Sequence, residues 1–181
     1  MTYLISGGAK NGKSTLAQNL AVALSGGGKR YYVATMISSG EEDDDRIRRH
    51  IADRAGMGFE TVECFTNVLS LLDTTDPGGT FLVDSATALL QNAMFPAQNG
   101  YRLDLTAARR CAEELIQFAE EVTHAIFVSD YIYSDAGFYP ASTELYRRCL
   151  ADIDRRLAAV CDTVVEVAGG IYIVHKGALE L

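Results

Sequence analysis

Residues 2–15 read TYLISGGAKNGKST, a short apolar run, a glycine-rich turn, and then Lys-Ser-Thr at the head of the segment LAQNLAVAL. Gly7, Gly12, Lys13 and Ser14 satisfy the phosphate-loop pattern G-x-x-x-x-G-K-[ST], and the pattern has the context it needs, a strand before and a helix after. Glycines let the backbone curl until its N–H groups face phosphate oxygens, and the helix that follows adds the partial positive charge of its N-terminus. Gly7, Gly8, Ala9, Lys10, Asn11, Gly12, Lys13, Ser14 and Thr15 are therefore the expected triphosphate cradle. Lys13, expected at the surface of that loop, neutralises β- and γ-oxygens. Ser14 is the expected hydroxyl ligand of Mg2+, and such an ion also takes an acid from the end of a neighbouring strand. Asp84, which closes the apolar run at 80–83, is the candidate. A strand-end aspartate also caps helices, so position alone does not decide between the two roles.

Working outward, Arg30–Thr35, Thr80–Asp84 and Ala125–Ser129 join Thr2–Ser6 as buried-type strands, rich in branched and aromatic residues. Helices are expected over Lys13–Leu24, Glu41–Arg54, Ser85–Phe95, Leu105–Val122 and Ala141–Val160. That alternation predicts an α/β fold of the P-loop NTPase type, a mostly parallel central sheet with helices on both faces. The last two runs, Thr163–Val167 and Ile171–His175, flank Gly169-Gly170, a pair suited to a tight turn, so an antiparallel C-terminal hairpin should close the sheet. Segments 74–79 and 95–101 read as bare loops.

At 181 residues and 48% hydrophobic, the chain has the size of one domain spanning 1–181. A net charge of −8 provides no field to attract a polyanion, which argues against a nucleic-acid partner. No apolar run is long enough for a membrane span, and the N-terminus lacks the basic-then-apolar order of a signal peptide. A cytoplasmic location is the expectation. Cys64, Cys111, Cys149 and Cys161 are scattered without metal-ligand spacing and read as reduced thiols.

A second constellation lies in EEDDDRIRRHIADR, residues 41–54. On a helix Arg46, His50 and Arg54 share one face, while the leading acids suit the positive end of the helix dipole. An arginine-flanked histidine suits an anion, and a solvated charged helix with an incidental histidine is the plainer alternative.

The order of Leu4–Thr15, YYVAT at 31–35, Arg46-Ile47 with His50 and Arg54, and then Thr61 and Glu63 resembles the bifunctional adenosylcobinamide kinase and adenosylcobinamide-phosphate guanylyltransferase family of cobalamin biosynthesis. The family loop GGARSGKS stands here as GGAKNGKS. FLVDSATALLQNAMF, with Asp84, Thr87 and Asn92, and the closing run from Arg155 to Ile173 resemble the family too. The resemblance implies that His50 is the nucleophile that takes GMP from GTP as a phosphoramidate and passes it to a phosphorylated corrinoid, with ATP or GTP serving the kinase step. It further implies nucleotide contacts from Ala34, Thr35, Met36, Ile51, Ala52, Asp53, Arg54, Glu63 and Asp84, and a homo-oligomer, a trimer. An imidazole attacks only when neutral, and Arg46 and Arg54 are expected to keep it so and to stabilise transition-state charge. Glu63 could accept hydrogen bonds from a guanine edge, or be no more than an exposed strand-end acid.

The family's TNEVGxGxxP is replaced here by SDYIYSDAGFYP at 129–140, and its later Asn-Gln pair by Asp154-Arg155. The kinase acid is then Asp130 or Asp135, unless phosphorylation is weak in this chain. Two other classes stay open: a P-loop kinase of another small molecule, with His50 idle, and a nucleotide-binding protein without turnover.

Overall fold

The computed structural model describes residues 1–133 and 135–179; Ser134, inside the divergent loop, and 180–181 at the end of the expected domain lie outside the described residues. Seven strands form one sheet: β1 (Thr2–Gly7), β2 (Arg30–Ala34), β3 (Glu60–Glu63), β4 (Thr80–Asp84), β5 (His124–Asp130), β6 (Thr163–Ala168) and β7 (Ile171–Lys176). Their order is β3-β2-β4-β5-β1-β6-β7, parallel throughout except for the antiparallel β6–β7 hairpin. The expected sheet and its closing hairpin are both present. β3 is a strand beyond the six expected, because ETVE has no apolar alternation to announce it and sits exposed at the sheet edge.

Strand alternation sorts the core into two layers. Tyr3 and Ile5 of β1, Tyr32 of β2 and Leu82 of β4 face α1 (Lys13–Ser25), which contributes Leu16, Ala17, Leu20 and Ala21. Leu4, Tyr31, Phe81 and Val83 point the other way, against α3 (Ala86–Met94), α4 (Leu105–Glu121) and α5 (Ala141–Val160). Side chains such as Leu16, Leu20, Leu89 and Leu115 are essentially fully buried, each worth roughly 1.5–3 kcal/mol in transfer free energy.

Helix α2 (Glu41–Asp53) is built differently. It buries no residue, and only Asp43, Ile47 and His50 on it are partly covered, at the 3–4-residue spacing of one helical stripe. Arg54 sits one residue past its end and is buried. Among the described residues no helix is long and apolar enough to cross a membrane.

Candidate functional site

The phosphate loop joins the carboxyl end of β1 to α1, at the edge where ligands bind in open α/β sheets. Its first glycine is required by packing: a Cβ on Gly7 would run into the Val167 carbonyl of the neighbouring strand β6. Gly12 is required by backbone, with φ at 90° where the chain swings into α1. Asn11 Nδ2 donates to the same Val167 oxygen at 3.1 Å, tying the loop tip to β6. Lys13 lies only 6% exposed, curled inside the loop rather than on its surface as expected. Its ammonium donates to the Gly8 carbonyl at 2.6 Å and pairs with the Asp130 carboxylate at 3.0 Å.

Asp130 is delivered by register. It ends β5 opposite Gly7 on β1, and its backbone N–H donates to Thr87 Oγ1 at 2.8 Å, while the Thr87 carbonyl accepts from Tyr146. Asp135, the other candidate acid, is held elsewhere: Arg147 Nη2 donates to it at 2.8 Å and the Tyr139 hydroxyl at 2.5 Å. Of the two, only Asp130 reaches the loop lysine. Behind it, Asp154 of α5 is buried, with one carboxylate oxygen accepting from the Tyr133 hydroxyl at 2.8 Å. Burial pushes Asp154 up to about 6 despite stabilisation from Ser129 and Tyr133, and the nearby Asp130 charge adds to the rise.

Asp84 ends β4 opposite Ala34. Its Oδ2 accepts from the Tyr32 hydroxyl at 2.9 Å and lies 3.6 Å from His50 Nδ1, which is itself 3.4 Å from the Tyr32 oxygen. Burial pushes its carboxyl up, but hydrogen bonds from His50, Tyr32 and Ser14 outweigh this and hold it below the usual carboxylate range. Helix capping next to Asp84 is done by Ser85, whose hydroxyl accepts from Ala88 N–H, so the aspartate is free of that role.

A cleft of about 280 Å³ runs along the carboxyl ends of the strands, from Arg46 and His50 of α2 past Asp84 to Asp130 at the phosphate loop. Ala34, Thr35, Met36, Arg54 and Glu63 line it as expected. The Thr35 hydroxyl, however, both accepts from Ser85 N–H and donates to Ser85 C=O, which commits its one proton and leaves it none to give a phosphate oxygen. Ile51, Ala52 and Asp53 are exposed and do not line the cleft: the helix turns Ile51 and Ala52 roughly 100° and 200° away from His50, and Asp53 is exposed as its last residue. Arg54 also has structural partners: its Nη2 donates to Thr61 Oγ1 at 3.1 Å and its guanidinium covers the Tyr32 ring at 3.9 Å. Asn92 pins the cleft wall by donating to the carbonyls of Thr35 and Phe65. Tyr32, Phe65 and Gln91 were not anticipated; for Tyr32 the available signal was that a core tyrosine must find a partner for its hydroxyl.

Among the described residues no group of three or more His, Cys, Asp or Glu could hold a metal ion. The adjacent Ser14 hydroxyl and Asp84 carboxylate are hard oxygen donors, which fits Mg2+ shared with a nucleotide.

Comparison with known proteins bears on both fold and site. The family model described as cobinamide kinase / cobinamide phosphate guanyltransferase matches residues 3–174. A comparison with curated proteins gave no match. Among solved structures, the chain is similar to the flagellar accessory protein FlaH from Methanocaldococcus jannaschii, with a TM-score of 0.53 and 15% identity over 97% of this chain and 78% of that one. It is also similar to the ATPase domain of G40P, at 0.53 and 13% over 97% and 76%. A prototypical ATPase from the type III secretion system of pathogenic bacteria matches at 0.55 and 11% over 92% and 51%. Identities this low carry the fold alone.

Proposed function

We propose, because the chain belongs to the cobinamide kinase / cobinamide phosphate guanyltransferase family, that it transfers GMP from GTP to adenosylcobinamide phosphate through a guanylylated His50 and phosphorylates adenosylcobinamide at the same cleft. The observation that carries this reading is the approach of His50 to the phosphate-loop machinery: its Nδ1 lies 3.6 Å from the strand-end carboxylate of Asp84, which also receives Ser14.

Loop N–H groups and Lys13 would hold the triphosphate, and Ser14 and Asp84 would hold Mg2+, which when bound offsets phosphate charge. His50 would attack the α-phosphorus and expel pyrophosphate, with Arg46 on the cleft wall facing the developing charge. Glu63, also on that wall, is free to accept from a guanine edge. For the kinase step Asp130 would orient the corrinoid hydroxyl toward the γ-phosphate. The cleft falls below the roughly 300–1,000 Å³ that drug-sized ligands fill, so a corrinoid macrocycle would present its hydroxyl or phosphate from the rim. Assembly as a homo-oligomer, a trimer, and a cytoplasmic location are part of the same reading.

The test uses GTP labelled at the α- or the γ-phosphate. Label from the α-position should stay on the protein through alkali and leave in mild acid, as a phosphoramidate does, and γ-label should not transfer to the protein. His50→Gln should abolish labelling with GTP binding retained. Persistent label in that variant, or none in the wild type with Mg2+, would return the chain to a kinase of another small molecule.

A further inference from the structure

Resting on the His50 reading above, we infer that Tyr32 is a positioning residue that, with Asp84, holds the Nδ1–H of His50, so that Nε2 is the nitrogen that becomes guanylylated. Tyr32 is 4% exposed and its ring is fixed on two sides, by the Arg54 guanidinium over one face at 3.9 Å and the Phe59 ring edge-on at 6.3 Å. Its hydroxyl therefore has one place to be, between Asp84 Oδ2 at 2.9 Å and His50 Nδ1 at 3.4 Å.

The proton inventory then decides the tautomer. An O–H donor next to a carboxylate gives its proton to the charged acceptor, and this is the shorter of the two contacts. With that proton committed, the Tyr32 oxygen can only accept from the ring, and Asp84 Oδ2, 3.6 Å away, can only accept as well. Both neighbours of Nδ1 are acceptors. A neutral imidazole has one N–H and one lone pair, and the partner of one nitrogen sets the state of the other, so Nδ1 carries the hydrogen and Nε2 the lone pair.

In the reaction the Nε2 lone pair forms the N–P bond at the α-phosphorus, the bond to the β-phosphate oxygen breaks, and pyrophosphate leaves with the electron pair. Nδ1 keeps its proton throughout, and the positive charge created on the ring faces Asp84. When a corrinoid phosphate oxygen attacks the same phosphorus, the N–P bond breaks and its electrons return to Nε2.

Two measurements test this. The protein is labelled with α-labelled GTP and Mg2+, the nucleoside is removed with periodate and base, and the phosphohistidine is compared with authentic Nδ1 and Nε2 isomers. The Nε2 isomer is expected; the Nδ1 isomer overturns the inference while leaving His50 guanylylation standing. In Tyr32→Phe, which keeps the ring under Arg54, the single-turnover labelling rate at saturating GTP, per GTP-binding-competent molecule, should fall about 10–100-fold, the range for loss of an outer-shell partner. GTP affinity should stay within about 2-fold. Normalising to binding-competent molecules removes any folding defect, so an unchanged rate overturns the positioning role. Absence of label in the wild type, or its persistence in His50→Gln, removes the parent reading and this inference with it.

Discussion

Helix α2 lines the cleft and the phosphate loop adjoins it through the Lys13–Asp130 ion pair, but the two are held by opposite means. The loop is walled by the core: β1 is buried on both faces and α1 is packed against one of them, Gly7 abuts β6, and Lys13 is enclosed by a carbonyl and a carboxylate. Helix α2 has no buried residue and leans on the body through His50 and, just beyond its end, Arg54. On the proposed reading, phosphate would be gripped by a braced backbone, whereas the nucleophile would be offered by a charged helix attached at a few side chains. Binding and transfer should therefore separate under mutation.

The largest effect is expected at Lys13→Ala. Removing the only buried ammonium of the loop among the described residues should weaken GTP and ATP binding on the order of 100-fold or more, as loss of a charged hydrogen-bond partner does in a desolvated site. Binding measured by titration at wild-type strength would break the phosphate-loop half of the comparison.

Next is Asp130→Asn, expected to slow phosphorylation of adenosylcobinamide about 100-fold, in the range of general acid–base effects. His50 labelling, read in the same preparation, should change only a few-fold. If both fall together, Asp130 serves the loop lysine alone and the kinase acid lies elsewhere.

Arg54→Ala should detach the end of α2. His50 labelling is expected to fall about 10-fold while GTP affinity moves less than about 3-fold, the pattern of a lost positioning contact. Weakened GTP binding with unchanged labelling would make Arg54 a nucleotide ligand and the anchoring account wrong. Hydrogen exchange sharpens the same point: amides of α2 should exchange well before those of α1, since unburied helices open at low free-energy cost.

The smallest effect concerns the packed half. Asp154 has a folded-state pKa of about 6, above the ordinary carboxylate value, so the folded protein binds its proton more tightly than the unfolded chain does. The stabilisation is present below the unfolded value near 4 and is lost as pH rises through about 6. Asp154→Asn should remove that dependence, gaining on the order of 1 kcal/mol at pH 8 relative to wild type and little at pH 4. Denaturant midpoints at the two pH values check it; an equal change at both would mean that Asp154 is not the titrating group.

The same contrast explains what the sequence made legible. A phosphate loop is a local pattern whose physics lies in consecutive residues, so Gly7–Thr15, the sheet around it and the closing hairpin could all be read directly. Asp84 could be proposed because a strand end is also local. His50 could not be established that way, since what distinguishes it is a contact with Asp84, thirty-odd residues later; its spacing between Arg46 and Arg54 singled it out, but its catalytic role entered only through family resemblance. Tyr32 was hidden inside a strand whose apolar neighbours made it look like core, and the fate of a hydroxyl depends on tertiary neighbours rather than on periodicity. Thr35 shows the converse, a residue at the right place whose hydroxyl the fold had already used.

The contact of Gly7 and Asn11 with Val167 has a consequence for the order of synthesis. The glycine-rich turn leaves the ribosome well before β6 does, yet its conformation is braced by that later strand. Until β6 has emerged and slotted in beside β1, the turn lacks the wall against which Gly7 is pressed and the carbonyl that fixes Asn11. A nascent chain ending after α5 would carry the whole phosphate-binding motif and be unable to hold a nucleotide in it.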